Sequence, residues 1–257
     1  MSTAIITLCD QGARVARHLA SKLGDCRIYA HDVVTLEMEA ERFTAIVKLT
    51  AEIFRQYKRL VYIAPCGVVV RAIAPLIEHK LTDPAVVVVD VGARYAVSLL
   101  SGHEGGANAL ALEVANAIGA EPVISTTTEA AKTLTVGIGC RRGAKAASIV
   151  GAICEALANV GATPAEVRYL ASAELKSDEA GLLQAAAELG LSLRFISADE
   201  ILSTTKQFRH SRFVADKVKL PAVAEPSALL AGRRTTLILH KTIINGVTVA
   251  VARESCL

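Results

Sequence analysis

SLLSGHEGGAN at residues 98–108 and VGIGCRRG at residues 136–143 decide the fold, because each places a glycine-rich loop between an apolar strand and a helix. Glycine lets the backbone approach a bound molecule closely, and the first turn of the following helix offers free N–H groups to an anion. The second loop also carries Arg141 and Arg142. Together the two loops predict a cleft for a large small-molecule polyanion.

Outward from these loops, short apolar strands alternate with amphipathic helices. The predicted strands are residues 4–8, 27–30, 60–64, 85–89, 95–99, 122–124, 134–138, 167–170 and 193–196, and the predicted helices are residues 11–23, 43–57, 68–77, 108–118, 144–158, 178–189 and 223–230. Gly119 and Gly190 are helix stop signals, and Ser197 with Glu200 has the spacing of a capping box. Asn245-Gly246 predicts a hairpin between residues 237–240 and 247–252. We expect two α/β domains, residues 1–130 and 131–257, with largely parallel sheets and helices on both faces.

Composition narrows the class of protein. Hydrophobic residues make up 52% of the chain while aromatic residues make up 4%, so Ala, Val, Leu and Ile must build the core, as in parallel sheets covered by helices. A net charge of +3 without a long basic stripe argues against nucleic-acid binding. Apolar runs are too short to cross a membrane, and the N-terminus enters a strand directly.

The cysteines indicate a reducing compartment. No two of them form a CxxC pair, which argues against a zinc or thioredoxin-like motif. Scattered thiols without a secretory signal predict a cytoplasmic protein. The six are Cys9, Cys26, Cys66, Cys140, Cys154 and Cys256.

Polar segments follow several of the predicted strands. They are Cys66-Gly67, Asp90, residues 101–108 and residues 139–143. Ligands of open α/β sheets lie beyond the carboxyl ends of the strands. We therefore expect these segments to converge on one site between the two domains.

The loop at residues 101–108 carries the best candidate for proton transfer. His103 is that candidate because imidazole titrates near neutral pH, although a solvated or capping histidine is the alternative. Asn108 either bonds a ligand carboxylate or caps the next helix.

The second loop has a different chemistry. Gly137, Gly139 and Gly143 approximate a dinucleotide fingerprint with one residue too many, and no Gly-Lys-Ser/Thr follows as in a P-loop. Arg141 and Arg142 either clamp carboxylates or form a solvated helix start. Cys140 is either a packing residue or a nucleophile.

Four further residues have two interpretations each. Arg71 lies on an apolar helix and either reaches solvent or holds an anion. Lys80 is either a solvated turn residue or an anion ligand, and Asp90 is either a functional carboxylate or a cap. Glu225 is either a base or a first-turn acid stabilised by the helix dipole.

Taken as a set, these motifs resemble the CbiG-type family of cobalamin biosynthesis proteins, the cobalt-precorrin-5A hydrolases. The resemblance covers most of residues 59–144 and 220–253. The resemblance rests on these stretches: IAPCGVVVRAIAPL at residues 63–76, Lys80, DPAVVVVD at residues 83–90, LLSGHEGGAN at residues 99–108, GIGCRRG at residues 137–143 and VAEPSALL at residues 223–230.

The resemblance implies a hydrolase acting on a cobalt-containing tetrapyrrole that bears many carboxylates and a δ-lactone. Water opens the lactone, and the two-carbon fragment containing C20 leaves as acetaldehyde. The cobalt travels with the substrate, so we expect no protein metal site and no cofactor. Neighbouring enzymes of the pathway and a second copy of the chain are the possible protein partners.

Within this frame, side chains and backbone take separate roles. His103 with Glu104 would activate water, Asp90 or Glu225 would be a second acid or base, and the N–H groups near Gly105 and Gly106 would hold the oxyanion. The expected substrate-binding residues are Arg71, Lys80, Ser101, Gly102, Gly105, Gly106, Asn108, Gly139, Cys140, Arg141 and Arg142.

The chain departs from the family pattern in one large way. Longer members carry a middle segment between the two conserved regions, where this chain has only Glu129 to Thr133. Two other functions remain open. The chain could carry a corrinoid intermediate without chemistry, since its C-terminal half resembles CobE-like proteins, or it could be a nucleotide-dependent oxidoreductase that uses the loop at Gly137.

Overall fold

The computed structural model describes residues 3–255, except for the side chains of residues 212–214. Cys256 lies outside the described residues. The chain divides into two compact units, Met1–Thr126 and Thr127–Leu257, each with its own sheet. In the part of the chain described, no helix is both long and apolar enough to cross a membrane.

The first unit alternates strands and helices. Its strands are β1 (Thr3–Thr7), β2 (Cys26–His31), β3 (Glu41–Phe43), β4 (Arg59–Ile63), β5 (Ala85–Val89), β6 (Tyr95–Leu100) and β7 (Glu121–Val123). Its helices are α1 (Asp10–Leu23), α2 (Ile46–Ile53), α3 (Cys66–Ile73), which continues into a 3-10 turn at Ala74–Leu76, and α4 (Ala107–Ile118).

These strands form one seven-stranded sheet in the order β3-β2-β1-β4-β5-β6-β7. Both faces are covered, because neighbouring residues of one strand enter different cores. Ile6 and Tyr62 pack in one core, and Ile5 and Val61 pack in another together with α1 and α4. This burial on both faces explains the continuous apolar strand sequences.

Pairing is parallel everywhere in this sheet except between β5 and β6. Val89 pairs with Ala96 and Val86 with Leu100, so β6 runs back along β5. The end of β6 therefore lies beside the start of β5. This antiparallel pair decides where the loop at residues 101–108 is placed.

The second unit has a five-stranded sheet in the order β10-β9-β8-β12-β11. Its strands are β8 (Leu134–Gly139), β9 (Val167–Ala173), β10 (Leu193–Ile196), β11 (Thr235–Ile244) and β12 (Val247–Glu254). Its helices are α5 (Thr127–Ala130), α6 (Ala146–Ala158), α7 (Ala180–Leu189), α8 (Ala198–Ser203), α9 (Arg212–Val218) and α10 (Ala224–Ala231), with 3-10 turns at Pro164–Glu166 and Glu174–Lys176. The β8, β9 and β10 strands are parallel, and β12 is antiparallel to both β8 and β11.

Gly137 has a packing role in this unit. A Cβ at Gly137 would collide with the Ala224 carbonyl oxygen and lie 2.6 Å from the Ala228 nitrogen. Helix α10 therefore rests directly on the backbone of β8. This contact explains the glycine without any dinucleotide.

Local signals in the sequence are confirmed at several points. Gly119 and Gly190 end α4 and α7 in the left-handed region. Ser197 and Glu200 form a capping box at the start of α8. The hairpin turn has positive φ at Asn245 and Gly246, as the strand twist requires.

Some element boundaries were wrong. The helix expected at residues 43–57 is shorter, because Phe43 belongs to the edge strand β3 and α2 begins at Ile46. The helix predicted at residues 68–77, with a possible end near Pro75, changes to a 3-10 turn at Ala74–Leu76, since Pro75 has no N–H for an α-helical bond.

Candidate functional site

The loop between β6 and α4 is a tight backbone turn. Ser101 has a φ of +58°, and its carbonyl oxygen accepts a hydrogen bond from the Ala107 nitrogen at 3.1 Å. The Gly102 carbonyl accepts from the Asn108 nitrogen at 2.9 Å. Gly106 has a φ of +87°, which favours glycine, and a Cβ at Gly105 would collide with Ser101. The glycines therefore shape this loop.

Asn108 pins the loop to its surroundings. Its Oδ1 accepts from the Ser98 hydroxyl at 2.8 Å, and its Nδ2 donates to the Thr126 hydroxyl at 2.9 Å. The helix cap is Gly106. The capping interpretation of Asn108 is therefore wrong, and ligand binding stays a prediction. In the structure its amide links β6 to the segment after β7.

His103 and Glu104 stand at the exposed tip of this loop. Lys80 Nζ lies 2.6 Å from Glu104 Oε1, so the segment before β5 meets the loop after β6. The hydrogen bond from Lys80 holds the pKa of the Glu104 carboxyl below its usual range. Glu104 is therefore a carboxylate at neutral pH.

A hydrogen-bonded turn at residues 104–105 lies at this tip. Within the described residues, the Gly105 N–H group donates to no protein acceptor. The Ser101 hydroxyl, by contrast, is buried against Gly105 and has no hydrogen-bond partner among the described atoms. The exposed part of this loop is therefore its tip, and Ser101 is buried.

Asp90 lies at the opposite edge of the sheet. Its carboxylate accepts hydrogen bonds from the backbone nitrogens of Gly92, Arg94 and Tyr95 and from the Arg94 guanidinium. Burial raises the pKa of Asp90, but these donors lower it more, and the net pKa is below the ordinary value. Asp90 holds the β5–β6 turn, roughly 17 Å along the strands from Ser101.

The expected convergence of strand ends is therefore wrong within the first unit. Cys66-Gly67 and Asp90 follow parallel strands and share one edge, while residues 101–108 occupy the other edge because β6 is antiparallel. A signal for this was present in the sequence. Only five residues connect β5 to β6, which is too few for a parallel crossover.

Arg71 is exposed on α3 and donates to the Gly67 carbonyl of its own helix at 3.2 Å. This contact occupies one of its five N–H groups. Arg71 remains able to bind an anion at the surface.

The loop at residues 139–143 bonds acidic residues of its own unit. Gly143 donates its N–H to Glu179 Oε1 at 2.8 Å, and Arg142 Nη1 lies 2.9 Å from Asp178 Oδ2. Asp178 and Glu179, which directly precede α7, thus bind the side chain of Arg142, a predicted substrate ligand, and the N–H of Gly143. Gly139 ends β8 half-buried, and Arg141 is exposed beside it.

Cys140 is a packing residue. Its side chain is half-buried against the core that contains Ile149 and Leu182. Burial raises the pKa of the thiol, with the nearby Lys176 opposing this effect. The thiol therefore stays protonated at neutral pH, which does not suit a nucleophile.

Glu225 is fully buried at the start of α10. It accepts from the backbone nitrogens of Arg209 at 2.5 Å and Lys241 at 2.9 Å, and its other contact is His240 Nδ1 at 3.1 Å. Burial raises its pKa, but these donors lower the pKa below the ordinary value. Glu225 ties α10 to β11 and to the segment before α9. Its burial and these contacts favour the structural interpretation, and its role as a second base stays a prediction. The partner His240 lacked any sequence signal.

Two protein families match this chain. Residues 48–129 match the family described as Cobalamin synthesis G N-terminal, and residues 134–252 match Cobalamin synthesis G C-terminus. Their adjoining ranges cover most of the two units.

Relatives point the same way. The chain is 27% identical over 352 positions to the cobalt-precorrin-5A hydrolase of Priestia megaterium, covering 97% of this chain and 94% of that protein. It is 37% identical over 128 residues to the enzyme of the same name from Salmonella typhimurium, covering 50% of this chain and 36% of that one. It is 30% identical over 133 residues to Protein CobE of Sinorhizobium sp, covering 51% and 86% respectively. Because one family matches each unit and these relatives agree, the chain belongs to the CbiG family of cobalamin biosynthesis proteins.

Proposed function

We propose that the chain hydrolyses cobalt-precorrin-5A to cobalt-precorrin-5B and acetaldehyde. Membership of the CbiG family and the activity for which two relatives are named support this reaction. The observation that carries it is the exposed pair His103 and Glu104, which stands next to the unengaged N–H group of Gly105 in the loop after β6.

The tip of this loop supplies three kinds of group that lactone hydrolysis needs. His103 takes a proton from the attacking water, and the oxygen of that water stays in the opened carboxylate. The N–H groups of Gly105 and Gly106 stabilise the oxyanion as the carbonyl is attacked. Collapse of the tetrahedral intermediate breaks the bond between the acyl carbon and the lactone oxygen, and this oxygen leaves on C20 as an alkoxide. The alkoxide becomes the carbonyl of acetaldehyde as the bond between C20 and the ring breaks, the ring keeps the electron pair of that bond, and His103 gives its proton to the ring.

Exposed cations suit a polycarboxylate substrate. Lys80 is 66% exposed in its pairing with Glu104, so it can exchange that partner for a substrate carboxylate. Arg71 and Arg141 offer exposed guanidinium groups in the two units. These cations are the proposed carboxylate ligands, and Arg142 joins them when it leaves Asp178.

The direct test is anaerobic incubation of the chain with cobalt-precorrin-5A, with acetaldehyde quantified and the visible spectrum followed. Release of one acetaldehyde per substrate supports hydrolysis. A spectral change on binding without acetaldehyde assigns the chain to the carrier function instead. A thermal shift by NAD without any response to the tetrapyrrole would favour the oxidoreductase.

A further inference from the structure

An open cavity of about 710 Å³ lies in the second unit, where β8 begins and β12 ends. The Glu254 nitrogen donates to the Thr133 carbonyl at 2.8 Å, which joins the two chain segments at this edge. Gly139 lies at the other end of β8, roughly 17 Å away by strand length. The cavity is therefore separate from the glycine loop of the same unit.

The lining of this cavity is strongly basic. Among the described lining residues five are cationic and one is acidic, a formal excess of four positive charges in a chain whose net charge is +3. They are Lys132, Arg168, Lys206, Arg233, Arg234 and Glu254. Pairing of Lys132 with Glu129 at 2.9 Å compensates one of these charges. A large local excess of one sign attracts counter-ions and focuses the field in a concave site.

The cavity already holds a carboxylate of the chain itself. Both oxygens of Glu254 lie within reach of Arg168 Nη1, at 2.8 and 3.1 Å, and the Arg233 backbone nitrogen donates to Glu254 Oε1 at 2.7 Å. Guanidinium and backbone N–H groups are the donors that recognise carboxylates and phosphates. The contacts of the Glu254 carboxylate thus show how a bound oxyanion would be held in this cavity.

Among the described residues, the ammonium group of Lys206 donates hydrogen bonds only to neutral acceptors. Its Nζ donates to the Leu229 carbonyl at 2.6 Å and to the Thr235 hydroxyl at 2.5 Å. Burial lowers the pKa of this ammonium, and the field of Glu254 opposes part of that effect. A second anion in the cavity would stabilise the charged form.

We propose that this cavity binds a compact small-molecule oxyanion with at least two negative charges, carried either by clustered carboxylates or by phosphate. Arg168 and Lys206 are held in it by the contacts described above, and Lys132, Arg233 and Arg234 also line it. The inference stands apart from the hydrolase reaction, because its residues do not include the tip of the loop at residues 101–108.

The test is isothermal titration calorimetry of the full chain with tricarballylate and, separately, with inorganic pyrophosphate. At least one anion is expected to bind, with affinity that falls as salt rises. The double variant Arg233→Gln/Arg234→Gln should weaken binding by about tenfold or more, equivalent to about 1.4 kcal/mol or more. Stronger binding of tricarballylate identifies clustered carboxylates, and stronger binding of pyrophosphate identifies phosphate.

The matched control is Arg14→Gln/Arg17→Gln, which removes the same charge from exposed positions of α1 in the other unit. The control should bind like the wild-type chain. Lys132→Gln provides an independent variant on another side of the cavity. Failure of both anions to bind the wild-type chain would overturn the proposal, as would equal affinity in the wild type, the arginine double variant and Lys132→Gln.

Discussion

Among single residues, the hydrogen-bond partners of a side chain, rather than its residue type, distinguish the functional candidates from the structural ones. Glu104, Asp90 and Glu225 are all carboxylates at strand or helix ends. Asp90 is engaged by three backbone N–H groups and Glu225 by two, whereas Glu104 pairs with the exposed Lys80. A sequence shows that a carboxylate is present but not which donors surround it, so all three looked alike before the structure.

The pairing of Glu104 with Lys80 leads to a prediction about titration. Replacing Lys80 by Met removes the hydrogen bond that lowers the Glu104 pKa, so this pKa should rise towards its ordinary value. NMR titration of the carboxyl carbon measures it. The control Lys48→Met changes an exposed lysine of α2 and should leave Glu104 unchanged. An unchanged Glu104 pKa in the Lys80 variant would show that the pair does not form in solution.

Glu225 leads to a prediction about stability. Its folded-state pKa is lowered, so its contribution is complete above pH 4.5 and is lost as the pH falls through the folded pKa. Glu225→Gln should reduce the free energy of unfolding by about 1–3 kcal/mol at pH 7, since buried donors lose a charged acceptor. This deficit should shrink in acid.

Urea unfolding at several pH values measures that deficit. Glu155→Gln, at an exposed position of α6, is the control and should show almost no deficit at any pH. A deficit for Glu225→Gln that stays constant down to acid pH would contradict the argument.

Among helices and strands, those with local signals were predictable and those decided by pairing were not. The helix stops at Gly119 and Gly190 and the turn at Asn245-Gly246 depend on backbone conformation within a few residues. Strand β3 is three residues long and exists because it pairs with β2. Its own sequence was therefore not enough to predict it. The direction of β6 follows from the short connection between β5 and β6. The prediction that the strand ends converge did not take this connection into account.

The contact of α10 with β8 can be tested by enlarging a glycine. Gly137→Ala forces the new methyl group against the backbone of α10, so we expect a loss of about 1–3 kcal/mol in the free energy of unfolding. Gly151→Ala is the matched control, because its methyl group enters open space in the middle of α6. That variant should stabilise the chain by about 0.5–1 kcal/mol.

Chemical denaturation compares the two glycine variants directly. A Gly137→Ala protein as stable as the wild type would show that α10 does not rest on β8. Loss of stability in both variants would indicate a general intolerance of alanine.

For the whole molecule, each unit has a core of its own. Ile6 and Leu19 belong to cores of the first unit, and Ile149 and Val249 belong to the core of the second. The basic cavity of the second unit could not be predicted, because its cations come from four separate segments between residues 132 and 234. The two-unit plan, in contrast, followed from the repeated alternation of strands and helices.

Separate cores predict separate folding. Residues 1–126 and 127–257, produced as two proteins, should each give a cooperative thermal transition and the amide exchange protection of a sheet. Circular dichroism and hydrogen exchange measure this. A half that shows no cooperative transition on its own would mean that its core depends on the other half.

The length of the chain lets an activity measurement show which regions the reaction needs. The alignment to the Priestia megaterium enzyme spans 352 positions, at least 95 more than the 257 residues here. Acetaldehyde release by this shorter chain would therefore assign the reaction to the two conserved regions.

The most direct measurement is single-turnover acetaldehyde release from cobalt-precorrin-5A by His103→Ala, with binding followed in the same samples by the visible spectrum. We expect the rate to fall by about 10²–10⁴-fold, with substrate affinity nearly unchanged, since a proton-transfer group is lost. His18→Ala, an exposed histidine of α1, should keep the wild-type rate. A wild-type rate of acetaldehyde release from His103→Ala would contradict the assignment of the chemistry to the loop at residues 101–108.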